Sequence, residues 1–451
     1  MTYEESLQFL EYLGHEVRGR KFDLTAIQTI LESLGHPELR YPAAIVAGTN
    51  GKGSVSAMLA SIFEAAGYRT GLYTSPHLVR VNERIRTAGR EIEDEDFAGA
   101  MSEVRKRAET LLENGRLEPP PSFFEYLTAA AFLEFARESV DIAVLEVGMG
   151  GRLDATNVTN PAVAVITNVS LDHQEFLGPT VAAIAREKAG IIKAGRPAVT
   201  TAEDPDALRV LRERAAEMGA GLTEAASVAQ ASEVRDEKGY YRFHLTLGGE
   251  SAGEIALPLA GEFQIRNALA AAAAVWRLRK EGWRISNEAV AKGIAGARWP
   301  GRLETIRKEP LVVLDGAHNI AAAREVARYA RKEWRGRRVR LIYATMRDKD
   351  VAGITALLFP LAEEIYLTEP AVARAANAEE ILATAQTPLA QVTIEPDPER
   401  ALERALSASK PEDVILAAGS LFLVGALKKD SSARAHAARP SPIREAAASL
   451  S

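Results

Sequence analysis

Short apolar runs alternate with stretches of helical period through most of this sequence, and that alternation limits the possible folds more than any other feature. Runs that are apolar throughout belong to strands buried on both faces, and such strands separated by helices make a largely parallel sheet covered on each side. The strand candidates are Ala43 to Gly48, Thr70 to Thr74, Asp141 to Val147, Ala162 to Asn168 and Ala198 to Thr201, with helical segments at Ala57 to Ala66, Phe123 to Arg137 and Thr180 to Ala189. Tyr240 to Leu257 instead alternates polar and apolar residues around Gly248-Gly249, which predicts an antiparallel hairpin at the sheet edge or in a small subsheet. A second α/β series follows Pro300-Gly301, with strands at Leu311 to Leu314, Val339 to Ala344, Glu364 to Thr368, Gln391 to Ile394 and Asp413 to Ala417. The expected units are residues 1–297, residues 298–428, and a tail at 429–451. The tail is rich in Ala, Ser, Arg and Pro, lacks an apolar period, and is expected to be disordered.

Composition narrows the function. The 451 residues call for two or three domains. With 61 Asp and Glu against 55 Lys and Arg, no extended cationic surface is available for nucleic acid. The absence of cysteine excludes a zinc-thiolate centre, a disulfide framework and a thiol nucleophile. The start, MTYEESLQFL, is acidic and amphipathic, unlike a secretory signal, and the longest apolar stretch, near Ala268 to Trp276, is too short for a bilayer. A cytoplasmic location without membrane attachment is expected.

Ala43 to Ser54, AAIVAGTNGKGS, reads as a strand, a glycine-rich turn carrying Lys52, and a helix opened by Ser54. Such a turn offers backbone N–H groups and a helix N-terminus to an anion, with Lys52 as a point charge for terminal phosphates. Val46 stands where the usual triphosphate motif has its first glycine, and Gly53 where it has Ser or Thr. On the residues alone, the loop is either a variant phosphate cradle or a structural connection. A triphosphate requires Mg²⁺, which prefers oxygen ligands and keeps waters. Three positions just after predicted strands qualify as ligands: Ser75, Glu146 in LEVGMGG, and His173 in SLDHQEFLG. Glu146 lies late in an apolar strand, where a carboxylate must be paired, hydrogen-bonded or metal-bound. A single histidine is as compatible with packing as with ligation, and Lys188 in AREKAGIIKAG reads by composition as an exposed helix lysine.

The strings FDLTAIQTILESLG, VAGTNGKGS, TSPHLVRVNERI, FFEYLTAAAF, LEVGMGGRLDATNV, NVSLDHQEFLG, REKAGIIK, PLAGEFQIRNALAA, WPGRLE and LDGAHNI occur in this order. Together they resemble the folylpolyglutamate synthase and dihydrofolate synthase family, within the larger group of Mur-type ATP-dependent amide ligases. The resemblance implies a P-loop-type, mostly parallel N-terminal sheet flanked by helices and a smaller Rossmann-like C-terminal α/β domain. It also implies a phosphate loop with a glycine after the lysine, so that Gly48, Thr49, Asn50, Gly51, Lys52, Gly53 and Ser54 hold ATP. Asn267, Arg302, Asp315 and His318 match further ATP-site residues. Ser75, Glu146 and His173 match ligands of two Mg²⁺ ions, and Lys188 matches a lysine that the family carbamylates with CO₂. Lys52, Glu146, His173 and Lys188 are thereby the expected catalytic group. The pterin-bearing substrate is expected against Asp23, Leu24 and Thr25, against Ser122, Phe123, Phe124 and Glu125, and against Leu153, Asp154 and Ala155. Phe123 and Phe124 offer rings for stacking, with helix-core packing as the rival use of both.

The implied reaction is ATP-dependent addition of L-glutamate to dihydropteroate, to tetrahydrofolate, or to both, through an acyl phosphate, by a monomer. Closure of the second domain about Arg298 to Gly301 would exclude water from that intermediate. One rival is a UDP-muramoyl amino-acid ligase. The 47 residues ahead of Gly48 are expected to be too few for its nucleotide-sugar domain. The other rival is a nucleotide-dependent binding module without synthetic activity.

Overall fold

The computed structural model describes residues 1–14, 23–385 and 391–437, and its chain divides into two units. The first comprises Met1–His77 and Val81–Trp299, the second Leu78–Arg80 and the chain from Pro300.

In the first unit, strands β1 (Ala43–Ala47), β2 (Thr70–Tyr73), β3 (Ile85–Thr87), β4 (Arg90–Glu91), β5 (Ile142–Glu146), β6 (Val163–Ile166), β7 (Ala198–Thr200) and β8 (Leu222–Glu224) form one sheet. Its order is β4-β3-β2-β5-β1-β6-β7-β8, parallel except where β2 meets β3 and β3 meets β4. Both faces are covered, which is why the central strands are apolar at every position. Ala43, Ile45 and Ala47 point into one core with the helices Thr25–Ser33, Asp94–Glu113, Phe123–Arg137 and Val181–Ala189. Ala44 and Val46 point into the other, with the helices Lys52–Ala65, Phe263–Lys280 and Asn287–Gly296. Small residues let these last helices approach closely: a Cβ on Gly293 would sit 2.3 Å from Ile62 Cα.

The expected hairpin is present as β10 (Tyr240–Leu247) and β11 (Glu250–Leu257), in a separate antiparallel sheet with β9 (Ala229–Glu237) as its other edge. The second unit carries β12 (Glu304–Lys308), β13 (Leu311–Leu314), β14 (Val339–Tyr343), β15 (Glu364–Leu367), β16 (Gln391–Ile394) and β17 (Val414–Ala418). Their order is β12-β13-β17-β14-β15-β16, parallel apart from β12 against β13. Inside it, Arg340 is 1% exposed and bonds Glu364 at 2.9 Å and Asp413 at 2.6 Å. The last helix runs Leu421–Ala437, into the stretch from residue 429 expected to form a separate tail. Residues 438–451 lie outside the described residues. Among the described residues no helix is long and apolar enough to cross a membrane.

Candidate active site

The turn after β1 opens the helix at Lys52, with Gly51 as its N-cap in the left-handed region (φ 85°). The helix thus begins two residues before Ser54, because Gly51 takes the conformation that turns the chain into it. The glycines are required by what faces them. A Cβ on Gly48 (φ 152°) would lie 1.7 Å from Thr167 Oγ1, one on Gly51 2.5 Å from Asn267 Oδ1, and one on Gly53 2.2 Å from the Trp299 ring.

The end of β6 braces the loop. The Thr49 N–H donates to the Asn168 carbonyl at 2.8 Å, and the Asn50 N–H to Asn168 Oδ1 at 2.7 Å. The Thr167 hydroxyl donates to the Asn50 carbonyl at 2.6 Å, and the Ser170 N–H to Thr49 Oγ1 at 3.1 Å. Sequence reasoning missed Thr167 and Asn168. The available signal was their place directly after the strand paired with β1, where Ala47 lies opposite Ile166.

Two lysines meet at the Gly48 carbonyl. Lys52 Nζ donates to it at 3.1 Å and to the Thr49 carbonyl at 3.2 Å, while Lys188 Nζ donates to it at 2.8 Å. Lys188 is therefore not the exposed lysine that composition suggests; it is 4% exposed. The helix Val181–Ala189, capped by Thr180, buries Ile184, Ala185, Lys188 and Ala189 against the sheet. Burial first, and the Lys52 charge second, pull the Lys188 pKa from 10.5 down to about 7, against the opposing pull of Asp172 and Asp154.

Glu146 ends β5 and is 4% exposed, and its Oε2 accepts the Ser75 N–H at 3.1 Å. The structure thus joins two of the expected metal ligands directly and gives the buried carboxylate a hydrogen bond. His173 adopts the left-handed conformation (φ 49°) at the start of the helix Gln174–Leu177. Its N–H bonds Asp172 Oδ1 at 2.9 Å, and its Nε2 lies 3.9 Å from the same oxygen. Among the described residues no three His, Asp or Glu side chains gather as a metal cage. Any cation here would need hydroxyl, water or phosphate oxygens to complete its shell.

The three segments expected at the pterin substrate lie close together. The helix Phe123–Arg137 and the helix Thr25–Ser33 both pack on the turn Ala155–Val158. Ser122 and Glu125 form a capping box, with the Ser122 N–H and hydroxyl donating to Glu125 Oε2 at 2.8 and 2.7 Å. Phe124 is 2% exposed, and its ring tip lies 2.8 Å from where a Cβ on Gly148 would be. Phe123 is half-buried beneath the Arg84 guanidinium, 5.3 Å from the ring centroid. Asp154 is 4% exposed and receives the Met149 N–H at 3.0 Å and the Thr156 hydroxyl at 2.7 Å, which fixes the loop carrying Leu153 and Ala155. Asp23 and Thr25 are exposed, and Asp23 accepts the Thr25 N–H at 2.9 Å. Asn267 donates to Gln264 Oε1 at 2.8 Å.

Within the second unit, Asp315 follows β13 and accepts from the Leu303 and Ala317 N–H groups, each at 2.8 Å. Burial raises its pKa, opposed by Arg302. His318 Nδ1 lies 2.7 Å from the Gly316 carbonyl, and a Cβ on Gly316 would meet an Arg302 nitrogen at 2.4 Å.

Residues 46–275 match the family model described as the Mur ligase middle domain, and residues 301–421 match the Mur ligase glutamate ligase domain. The chain is 34% identical over 418 residues to the dihydrofolate synthase/folylpolyglutamate synthase of Bacillus subtilis (strain 168), covering 91% of this chain and 95% of that protein. Its fold is similar to Mycobacterium tuberculosis folylpolyglutamate synthase complexed with ADP and AMPPCP, with a TM-score of 0.88 and 34% identity over 95% of this chain and 99% of that one. It is similar also to E. coli FolC in complex with DHPP and ADP, with a TM-score of 0.84 and 31% identity over 95% and 98%.

Proposed function

This chain belongs to the dihydrofolate synthase/folylpolyglutamate synthase family of Mur ligases, and on that premise we infer that it is an ATP-dependent ligase that adds L-glutamate to dihydropteroate, to the γ-carboxylate of a folate, or to both. The observation that carries this reading is the convergence of Lys52 and Lys188 on the Gly48 carbonyl of a glycine loop that opens a helix.

The substrate carboxylate attacks the γ-phosphate, releasing ADP, and the glutamate amine then displaces phosphate from the acyl phosphate to form the amide. Phosphoryl transfer of this kind asks mainly for positioning and charge neutralisation. The N–H groups from Gly51 to Ser54, together with Lys52, supply both at the nucleotide, while those of Thr49 and Asn50 are engaged by Asn168. The Asn168 and Thr167 contacts hold the loop in place, so little reorganisation is needed as charge develops. We assign Asn267, Arg302, Asp315 and His318 to nucleotide binding from the motifs that carry them.

Glu146 and Ser75 offer oxygen donors suited to a hard cation, and His173 is a third candidate ligand. Mg²⁺ held there would neutralise phosphate charge. Lys188 as an ammonium would repel a cation, but buried and with a pKa near 7 it has a large neutral fraction, the form that combines with CO₂ to give a carbamate. We assign it that role. We assign the half-buried Phe123 and Leu153 to the face of the pterin substrate, with Phe124 and Ala155 supporting them from the core.

A phosphate-release assay with dihydropteroate or tetrahydrofolate, each with and without glutamate, tests the reading. Release should require both a pteroate compound and glutamate. ATP hydrolysis indifferent to both would establish a binding module instead, and a requirement for a UDP-muramoyl precursor would establish the cell-wall activity. Glu146→Ala should raise the half-saturating Mg²⁺ concentration at least about tenfold. An unchanged magnesium curve would remove Glu146 from the ligand set.

A further inference from the structure

The loop after β5 grips the C-terminal end of the helix that carries Lys188. The Arg152 N–H donates to the Glu187 carbonyl at 2.8 Å, and the Arg152 guanidinium bonds the Glu187 carboxylate at 3.0 and 3.2 Å. Asn157 Nδ2 donates to the Arg152 carbonyl at 2.9 Å and to the Gly190 carbonyl at 3.1 Å. The Asn157 carbonyl in turn accepts Lys193 Nζ at 3.0 Å.

Asn157 is 3% exposed, and its Oδ1 is buried with no hydrogen-bond partner. Its amide is thus held by donation alone, with both nearby carbonyls facing nitrogen. This satisfies the Gly190 carbonyl, which would otherwise be left open where the helix ends, and ties it to the loop carbonyl of Arg152. Two glycines permit the close approach. A Cβ on Gly151 would sit 2.8 Å from the Glu187 carbonyl oxygen, and one on Gly190 2.4 Å from Arg152 Cα.

Lys188 is therefore strung between two fixed points, its backbone clamped by this loop and its Nζ 2.8 Å from the Gly48 carbonyl. Because the side chain is buried along its length, a shift at the helix end is carried to Nζ. We propose that Asn157 is a positioning residue, assisted by Arg152, that sets how far the Lys188 amine reaches beside the phosphate loop. The proposal rests on the reading that Lys188 serves the ligase reaction, but the clamp itself is tested separately.

Asn157→Asp keeps the shape and replaces the donor with an acceptor facing two carbonyls, while Asn157→Ala removes the amide. Both should lower kcat about tenfold or more with the KM for ATP within about twofold of the parent. In the folded, ligand-free protein, pulse acetylation with peptide mass mapping should label Lys188 about tenfold faster than in the parent, with Lys52 labelled at the parent rate. Val210→Ala, which thins the same core away from the loop, is the control for general loosening. If neither Asn157 variant folds, the exposed Arg152→Met carries the labelling test. Lys188 labelling and kcat like those of the parent, or changes matched by Val210→Ala at equal Tm, would overturn the proposal. Should Lys188→Ala keep full turnover, the catalytic assignment of Lys188 fails, while the labelling rates still report whether Asn157 holds it.

Discussion

Gly48→Ala is expected to lower ATP-dependent turnover by at least about a thousandfold, because it displaces the atoms on which the site is assembled. The added methyl would lie 1.7 Å from Thr167 Oγ1, 3.0 Å from Thr167 Cβ and 3.2 Å from the Thr167 backbone nitrogen. The φ of 152° is also one that an alanine adopts only under strain. Relief by rotation would turn the Gly48 carbonyl, which receives both Lys52 and Lys188. Nucleotide titration calorimetry and steady-state kinetics read the effect, with thermal melting to show that the remainder of the chain folds. Adding Thr167→Ala removes the hydroxyl contact but leaves the backbone nitrogen and the strained φ, so the double variant should recover only part of the loss. Full recovery would show that the hydroxyl alone forbids a side chain at position 48.

Lys188→Ala should reduce turnover by about a hundredfold or more, since it removes an amine buried beside the phosphate loop. If the carbamate assignment is right, stripping CO₂ from the buffer should slow the parent enzyme and bicarbonate should restore it, while the variant responds to neither. Near-parental activity in Lys188→Ala would refute the role. Stability supplies a second signature, read in metal-free and CO₂-free buffer. The folded pKa is about 7 against 10.5 in the unfolded chain, so between those values the unfolded chain binds more protons and stability rises with pH. Below about pH 7 both states are protonated and the full cost of burying an ammonium is felt. The stability difference between parent and variant should therefore move in the parent's favour as pH climbs through that window. Parallel Tm curves would contradict the buried amine.

The parts of the fold legible in the sequence are those buried on both faces. β1, β5 and β17 are apolar at nearly every position because helices cover both sides, and the helix Phe123–Arg137 shows its bounds through the Ser122 capping box. β3, β4 and β8 escape notice because they are two or three residues long and half-exposed. β9 reads AQASEVRDE and buries only its first residue fully, so no apolar period announces it. The phosphate loop is visible because its chemistry is contiguous in the chain. Its braces at Thr167 and Asn168 are not, since parallel pairing supplies them from far along the sequence. Lys188 is misread for a related reason: REKAG looks solvated, and only the packing of its helix against the sheet shows that one of its charges faces inward.

The short segment Leu78–Arg80 belongs with the second unit although the chain on either side of it belongs to the first. A Cβ on Gly425 would meet the Leu78 carbonyl oxygen at 2.1 Å, and one on Gly301 would meet a Leu78 methyl at 3.4 Å, so those three residues are seated in that unit's own packing. The polypeptide therefore crosses from one body to the other three times, and severing it after Trp299 would not yield two whole parts. The C-terminal piece would lack an internal tenon, and the N-terminal piece would carry three residues moulded to a surface no longer attached to it.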